Sequence, residues 1–395
     1  MFPAVLWSEI NMNDSAGIWR ALETRQLRGI HVVVGSTNHQ DFSACVCHLW
    51  QRGKIPLILA GNQTQQDIAS LSPPPNAVIG FVTSGTTSSS PQVIWKTWRA
   101  LNSEAQILIK TFNVTASSRI LTLVPPIHIY GFLYGFLMPC LSRATLMTSG
   151  DWTQPLIQPD SLPDIVDVVV AVPPLWSLLE RLLPRLNPRL VLSSGAPFGT
   201  RRAEAARTLR QHNTLSFSVV DVLGSTETGG IGYREVVGQH PEDYFTAFEG
   251  VHLIPPSHDS SPWSVVSPFT DDKTLVVGDI FYLSCDNRFQ YRGRGDRVIK
   301  IGARRFSLAE IDAAVSSCAA GKPVASLFRN DPDSPKGGTL HVFIEGLTAD
   351  KDGIIKRYQT DYPYLPIPAG IHVLEHLPRG AMGKSSRAEL ERCLD

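Results

Sequence analysis

The sequence has no excess of charge of either sign, because 36 lysine and arginine residues balance 36 aspartate and glutamate residues. This balance argues against a general attraction to nucleic acid or to an anionic membrane. No apolar run reaches the length of a transmembrane helix, so we predict no membrane span. The start, MFPAVLWSEINMND, lacks the basic region of a signal peptide and becomes acidic early. We therefore expect a cytoplasmic protein that has no nucleic-acid partner.

Cysteine is scarce and scattered, with six residues at Cys45, Cys47, Cys140, Cys285, Cys318 and Cys393. This pattern does not indicate a disulfide framework and agrees with a cytoplasmic location. Cys45-x-Cys47-His48 lacks the usual two-residue spacing of a metal clip, and no second pair follows it. Cys45 fits one helical face with Val46 and Leu49, so we predict a buried structural thiol at Cys45.

Strand and helix patterns alternate along most of the chain, which at 395 residues is long enough for two domains. Helical patterns, for example over 98–112, lie between short β-branched runs. These runs, typical of buried strands, cover 30–34, 56–60, 78–82, 119–124, 167–172, 189–193 and 217–222. The alternation predicts an α/β fold: a large N-terminal domain with mixed, largely parallel sheets.

The pattern changes at about residue 270. A hairpin is predicted to turn at Asp286-Asn287, and the charged stretch GRGDRVIKIGARR follows it. A short helix and further strands after this stretch predict a small α+β C-terminal domain. We therefore place the boundary near Asp296, which gives two domains: 1–295 and 296–395.

The stretch FVTSGTTSSSPQ at 81–92 contains seven serine and threonine residues directly after a predicted strand. Proteins of the α/β class place ligand-binding loops at such positions. Hydroxyl groups and consecutive backbone N–H groups can hold phosphate oxygens. The stretch is not a Walker loop, because GxxxxGK[ST] is absent. Taken alone, it is either a phosphate-binding loop or a linker.

Six motifs follow one another along the chain: TSGTT at 83–87, SSGAP at 193–197, GSTE at 224–227, GD at 278–279, GRGDRVIK at 293–300 and LPRGAMGKSSR at 377–387. Together they resemble the adenylate-forming superfamily of acyl- and aryl-CoA synthetases, nonribosomal-peptide adenylation domains and luciferases. Each motif alone is weakly specific, whereas six in order are strongly specific. The resemblance runs from about residue 78 to residue 390 and is to the compact members of the superfamily.

The resemblance implies a site for ATP and Mg²⁺. The residues that match the phosphate loop are Thr83, Ser84, Gly85, Thr86 and Thr87. The residues that match the adenine-side turn are Gly195, Ala196 and Pro197. The GSTE motif supplies Gly224, Ser225, Thr226 and Glu227. In this motif, Thr226 and Glu227 match the pair that contacts the α-phosphate and holds the metal. Asp279 matches the carboxylate that binds the ribose hydroxyls, and Arg294 matches the arginine beside it.

Two further residues have catalytic roles by resemblance. Lys384 matches the lysine that reaches both the carboxylate substrate and the α-phosphate. A cation there stabilises the charge that develops when two anions are joined. The alternative is an ordinary solvated lysine. His128, in PPIHIYG, matches a position at the mouth of the acid pocket, and its alternative is a packed core histidine.

Three positions depart from the superfamily pattern. Gln92 stands where a lysine is expected, which should weaken the hold on the pyrophosphate end of ATP. Leu223 stands where an aromatic residue commonly stacks on adenine. Ala303 replaces a glycine where the thiol arm passes, so thioester formation is less well supported than adenylation.

We therefore predict an acid–thiol ligase that activates a carboxylic acid to an acyl-adenylate and transfers it to a thiol. The acceptor is CoA or the phosphopantetheine of an acyl carrier protein. The aromatic residues around His128 favour an aryl or short to medium acyl acid. The alternatives are a non-catalytic nucleotide-binding module that kept the fold, and an unrelated Rossmann oxidoreductase. The second lacks support because GxGxxG does not follow a strand.

Overall fold

The protein is described here by a computed structural model, which describes residues 4–5, 22, 27–34, 39–59, 71–83, 92–148, 165–196, 198–257, 262–284, 286–294, 298–301, 304–330, 338–379 and 387–394. The chain forms two compact units. Unit 1 comprises Met1–Ile254, Ser264–Leu275 and Cys285–Arg288. Unit 2 comprises Pro255–Trp263, Val276–Ser284 and Phe289–Asp395.

Within the described ranges, the strands in chain order are β1 (Ala4–Val5), β2 (Ile30–Val34), β3 (Ile55–Leu59), β4 (Ala77–Thr83), β5 (Gln92–Thr97), β6 (Arg119–Thr122), β7 (Thr145–Thr148), β8 (Val168–Ala171), β9 (Leu190–Ser194), β10 (Ser218–Ser225), β11 (Gly229–Val237), β12 (Phe245–Ala247), β13 (His252–Ile254), β14 (Trp263–Val266), β15 (Leu275–Val277), β16 (Asp279–Leu283), β17 (Arg288–Arg294), β18 (Val298–Ile301), β19 (Arg304–Ser307), β20 (Val324–Asn330), β21 (Gly338–Glu345) and β22 (Gly370–Leu374).

The α-helices of the same ranges are α1 (His39–Gln51), α2 (Trp98–Thr111), α3 (Ile129–Phe132), α4 (Met138–Ser142), α5 (Trp176–Leu186), α6 (Thr200–Asn213), α7 (Leu308–Cys318), α8 (Lys351–Asp361) and α9 (Arg387–Arg392). A π-helical turn, Leu133–Leu137, joins α3 to α4. None of the described helices is both long and apolar enough to cross a membrane.

Unit 1 is built on two largely parallel sheets. In the first, β2, β3 and β4 are parallel and β5 is antiparallel to β4. The part of the second sheet that lies in unit 1 has the order β1-β7-β6-β8-β9-β10-β11-β12. Strands β7, β6, β8, β9 and β10 are parallel, and β1, β11 and β12 run antiparallel to their neighbours. The predicted α/β class with mixed, largely parallel sheets is confirmed.

The central strands form where the sequence has its β-branched runs. Strands β3, β8 and β9 are buried along their whole length, as expected for parallel strands covered on both faces. Helices α5 and α6 pack on the second sheet through a core that includes Trp176, Leu183, Val191 and Phe217. All seven predicted strand runs of unit 1 are strands, each within a few residues of its predicted bounds.

Unit 2 has the mixed α+β character that the sequence predicts. Strands β20 and β21 are antiparallel, β21 and β22 are parallel, and β18 and β19 form a short hairpin. The core joins α7 and α8 to this sheet through Ile311, Val342, Ile344 and Tyr358. The predicted turn between β16 and β17 is present, with φ of 61° at Asp286 and 59° at Asn287.

The compact units do not follow the predicted boundary at Asp296 closely, since β16 and most of β17 lie in unit 2. Asp296 itself lies outside the described residues. The division into 1–295 and 296–395 concerns which part moves during a reaction, and it stays a prediction.

The prediction for Cys45 is wrong in one respect. Helix α1 packs with Phe42 and Val46 fully buried, and the buried thiol of this helix is Cys47, whereas Cys45 is half-buried. Cys45 lies outside the packed stripe, because that stripe is centred near Val46 and Trp50 and extends to Cys47 on its other side. Burial raises the pKa of Cys47 to about 12, which makes Cys47 an inert structural thiol.

Candidate active site

The GSTE motif forms a tight connection between two antiparallel strands of unit 1. Strand β10 ends at Ser225 and β11 begins at Gly229, so Thr226 and Glu227 lie at the tip of the connection. The side chain of Glu227 is exposed and that of Thr226 is half-buried. Both therefore present oxygen atoms at the carboxyl end of β10.

Hydrogen bonds within the connection fix its shape. The Ser225 hydroxyl accepts a hydrogen bond from the Thr228 backbone N–H at 3.1 Å and lies 3.0 Å from the Thr228 hydroxyl. Thr228 in turn donates to the Gly229 carbonyl at 2.8 Å. A Cβ at Gly224 would lie 2.5 Å from the Gly229 oxygen, so glycine permits the close approach of the two strands. In the described structure, Ser225 and Gly224 shape the turn that presents Thr226 and Glu227.

The SSGAP motif lies beside this connection. Strands β9 and β10 are parallel, and Ser194 is paired with Val222. The Ser194 hydroxyl donates to the Val222 carbonyl at 2.8 Å. Gly195 follows with φ of 85°, a left-handed conformation that favours glycine, and turns the chain away from the sheet. The structure thus brings Gly195 and Ala196 to the same sheet edge as Thr226 and Glu227.

His128 lies at a point where the strand order reverses. Strand β6 is paired with β7 on one side and with β8 on the other, although in the chain β7 comes between β6 and β8. In α/β sheets, such switch points open a crevice at the carboxyl ends of the strands. His128 follows β6 at this end and is the N-cap residue of α3, but its side chain makes no capping hydrogen bond. Burial lowers the pKa of His128 to about 4, so its imidazole is neutral near pH 7.

Two tyrosines after His128 are buried without a hydrogen-bond partner among the described residues. The rings of Tyr130 and Tyr134 lie 4.6 Å apart, and both hydroxyls are unpaired. Burial raises the pKa of Tyr130 well above its ordinary value, and the negative charge of Asp221 is a second, smaller cause of the same rise. Asp221 is itself buried and lies 3.1 Å from the Arg234 guanidinium. Sequence reasoning missed this polar group, although tyrosines four residues apart on a helix are a visible signal.

A second polar group, also missed, lies directly under the GSTE connection. Lys96 donates a hydrogen bond from Nζ to the Glu227 carbonyl oxygen at 3.1 Å. Glu104, completely buried on α2, accepts a hydrogen bond from the Gly230 backbone N–H at 2.6 Å. Charged residues in otherwise apolar patterns were the available signal for both.

In unit 2, the structure pairs the two residues assigned to ribose binding. Asp279 and Arg294 are opposite each other in the antiparallel pairing of β16 and β17. The Tyr291 hydroxyl donates to Asp279 Oδ1 at 3.1 Å. The hairpin therefore brings Asp279 and the backbone of Arg294 together.

The remaining assigned residues lie at or beyond the limits of the described residues. Thr83 is the last residue of β4, where the phosphate loop is expected to begin. Of the residues singled out from the sequence, those that lie outside the described ranges are Ser84, Gly85, Thr86, Thr87, Pro197, Ala303 and Lys384. Gln92 and Leu223 lie in β5 and β10.

The oxygen atoms of Thr226 and Glu227 suit a hard cation such as Mg²⁺, which takes oxygen ligands and keeps several waters. Within the described ranges, no three or more His, Cys, Asp or Glu side chains are arranged to hold a metal ion. Glu227 supplies one carboxylate here, so a cation at this point would need further oxygen ligands, such as the phosphates of a nucleotide.

Comparison with known proteins places these features in a family. The family model described as "AMP-binding enzyme" matches residues 30–252, more than half of the chain. A 4-coumarate–CoA ligase of Halorhodospira halophila is 28% identical over 312 residues, which cover 77% of this chain and 74% of the relative. A 4-coumarate–CoA ligase of Cereibacter sphaeroides is 34% identical over 171 residues, covering 41% of this chain and 38% of the relative.

The fold agrees with this match. The crystal structure of ATP-bound MatB from Rhodopseudomonas palustris superposes with a TM-score of 0.75 at 17% identity, covering 95% of this chain and 91% of that one. The motif order, the GSTE connection and the family match agree with one another. The chain therefore belongs to the AMP-binding enzyme family of the adenylate-forming superfamily.

Proposed function

We propose that the protein activates a carboxylic acid with ATP and then forms a thioester. In the first step, a carboxylate oxygen attacks the α-phosphorus, the bond from that phosphorus to the bridging oxygen breaks, and pyrophosphate leaves. In the second step, a thiolate attacks the acyl carbon and AMP leaves with the carboxylate oxygen. The thiol proton passes to solvent.

The observation that carries this proposal is the geometry of the GSTE connection. Thr226 and Glu227 are held open at the carboxyl end of β10, beside the Gly195 turn that follows β9. A nucleotide at this edge would have its α-phosphate within reach of Thr226. Glu227 would hold Mg²⁺, which when bound supplies positive charge to the phosphate oxygens.

The other roles extend the same site. Thr83 and the TSGTT residues after it would hold the β- and γ-phosphates through hydroxyl and backbone N–H groups. Asp279 would accept hydrogen bonds from the ribose hydroxyls, with Arg294 beside it. Lys384 would carry its positive charge to the carboxylate and the α-phosphate. We further propose that residues 296–395 act as a mobile lid that delivers Lys384 and then turns to admit the thiol.

The acid is proposed to be aryl or a short to medium acyl acid. His128 is neutral at the switch point, and the buried rings of Tyr130 and Tyr134 follow it. Two relatives are named as 4-coumarate–CoA ligases, which supports an aromatic acid and CoA as the acceptor thiol. The phosphopantetheine arm of a carrier protein remains the second acceptor proposed.

Acid-dependent exchange of radiolabelled pyrophosphate into ATP tests the first step. We expect exchange with at least one aryl or short to medium acyl acid in a panel, and none without acid. A chain that binds ATP but exchanges pyrophosphate with none of the acids would instead be the non-catalytic module. Adding CoA or a pantetheinylated carrier protein to the active mixture then identifies the acceptor by the thioester formed.

A further inference from the structure

Lys96 is a buried cation in β5, a strand that mixes polar and apolar residues. It lies near the end of β5, and its side chain is only 4% exposed. Its Nζ donates to the Glu227 carbonyl at 3.1 Å and reaches the Phe269 carbonyl at 3.5 Å. A buried ammonium group is costly unless it is paired and hydrogen-bonded. The residues around Lys96 must therefore supply that compensation.

Glu104 is the principal opposite charge. Burial lowers the pKa of Lys96, while the negative charges of Glu104, Glu227 and Asp271 oppose this effect, with Glu104 the strongest of the three. In turn, Lys96 and the Gly230 N–H oppose the effect of burial on Glu104. Lys96 and Glu104 are thus a buried pair of oppositely charged residues that interact electrostatically, and each binds the backbone of the same connection, Lys96 at the Glu227 carbonyl and Glu104 at the Gly230 N–H.

The glycines of the connection leave room for this pair. A Cβ at Gly229 would lie 2.7 Å from Glu104 Oε2, and a Cβ at Gly230 would lie 3.4 Å from Glu104 Oε1. The distance at Gly229 leaves no room for a methyl group beside the carboxylate, whereas the distance at Gly230 is an ordinary contact, and the close neighbour of a Cβ there would be the Phe248 ring at 2.9 Å. The absence of a side chain at Gly229 therefore lets the backbone of the connection approach Glu104.

A second contact ties the same region to the junction of β5 and α2. The Thr97 hydroxyl donates to Asp271 Oδ1 at 2.6 Å and also caps α2 by accepting a hydrogen bond from Ala100 N–H at 3.1 Å. Lys96 and Thr97 therefore face two different segments, one carrying Glu227 and one carrying Phe269 and Asp271.

We propose that Lys96, supported by Glu104, is a positioning residue that fixes the Thr226–Glu227 connection for Mg²⁺ binding. This inference rests on the proposed function. Lys96 acts through the Glu227 backbone, so it sets where the Glu227 carboxylate points without itself contacting the nucleotide. It does not take the place of the lysine that Gln92 replaces, because Gln92 is paired with Thr83 at the other end of β5.

Calorimetric titration of ATP binding, with no acid present, tests this role at saturating Mg²⁺ and again in EDTA. Lys96→Met keeps the length of the side chain but removes its charge and its donor groups. We expect the Mg²⁺-dependent gain in ATP affinity to fall about tenfold, with metal-free affinity changed less than twofold. Glu104→Gln retains a carbonyl acceptor for Gly230. In this variant the Mg²⁺-dependent gain in ATP affinity should fall about threefold.

Lys110→Met is the matched control. Lys110 lies on α2 with its side chain 73% exposed and pairs with Glu249 at the surface. The Mg²⁺-dependent gain should be unchanged in this variant. A folded Lys96→Met protein with the wild-type gain would overturn the proposal, as would an equal loss of affinity with and without metal.

A double variant keeps the test valid if Lys96→Met does not fold. Lys96→Met with Glu104→Gln removes both buried charges, and replacing a whole buried pair is tolerated better than breaking it. A folded double variant that lacks the Mg²⁺-dependent gain supports the proposal, and one that retains it overturns the proposal. Failure of the proposed function is seen separately, as wild-type protein that binds Mg²⁺ and ATP but shows no acid-dependent exchange.

Discussion

The carboxyl group of Glu104 lies completely buried against the amide of Gly230 and near the ammonium of Lys96. Burial raises the pKa of Glu104 to about 7 from the ordinary 4.5, even though Lys96 and the Gly230 N–H both lower it. The native state thus holds this proton more tightly than the unfolded chain does. Glu104 therefore links the stability of unit 1 to pH near neutrality.

We expect this link to stabilise the protein as the pH falls from 7 towards 4.5. In that range the native state binds more protons at Glu104 than the unfolded state, so its contribution is complete below 4.5 and lost as the pH rises through about 7. A shift of this size corresponds to about 3 kcal/mol at most. The measurement is the free energy of unfolding in urea between pH 5 and pH 8, compared with Glu104→Gln.

The comparison isolates one residue, because every other carboxyl group is common to both proteins. The difference in the free energy of unfolding between the two proteins should change with pH only below about pH 7. Parallel curves for wild type and Glu104→Gln would mean that Glu104 stays ionised throughout.

Sequence reasoning reached some of these residues and not others. Thr226 and Glu227 belong to a motif that is recognised by its letters, and the structure places both at the end of β10. Lys96 and Glu104 belong to no motif, and their importance depends on contacts with Glu227 and Gly230 far along the chain. A single charged residue in an apolar run signals a buried partner but does not identify it.

At the scale of elements, the turn from β6 into α3 depends on a close backbone contact at one glycine, Gly131. A Cβ at Gly131 would overlap the carbonyl oxygen of Pro125. This contact holds the start of α3, and therefore His128, against the carboxyl end of β6. This contact could not be predicted beforehand, since PPIHIYG is compatible with several turn geometries.

We expect Gly131→Ala to lower the free energy of unfolding by about 1–3 kcal/mol, because the backbone must shift to admit the methyl group. Gly53→Ala is the comparison. A Cβ there meets nothing within 4 Å, and the only strain comes from its φ of 70°. That strain should cost about 1 kcal/mol. Chemical denaturation of both variants measures the two effects, and equal losses would argue against a close contact at Gly131.

The prediction of elements succeeded where burial alone decides the structure. Parallel strands covered on both faces have continuous runs of largely apolar residues, and these were visible for β3, β8 and β9. Strand β5 was not predicted, because its sequence, QVIWKT, mixes polar and apolar residues. It lies at an edge of its sheet. Its place is set by pairing with β4 and not by its own pattern.

At the scale of the whole molecule, the proposed reaction needs one lysine in only one of two steps. We expect Lys384→Ala to slow ATP–pyrophosphate exchange about 100-fold or more, because its charge is needed while two anions are joined. Conversion of a preformed acyl-adenylate to thioester should continue near the wild-type rate. Both rates are measured on one preparation, with Lys356→Ala, an exposed lysine of α8, as the control. Exchange that remains near wild type would remove Lys384 from the site.

The contacts of Lys96 can form only after much later parts of the chain have been made. Its two carbonyl acceptors lie 131 and 173 positions later. A ribosome adds about 5–20 residues per second, so roughly ten seconds separate the appearance of this ammonium group from that of Glu227. Until then Lys96 stays hydrated, because burial without acceptors costs on the order of several kcal/mol. We therefore expect Lys96, and with it the end of β5, to reach its native burial only after the segment that carries Glu227 has been made.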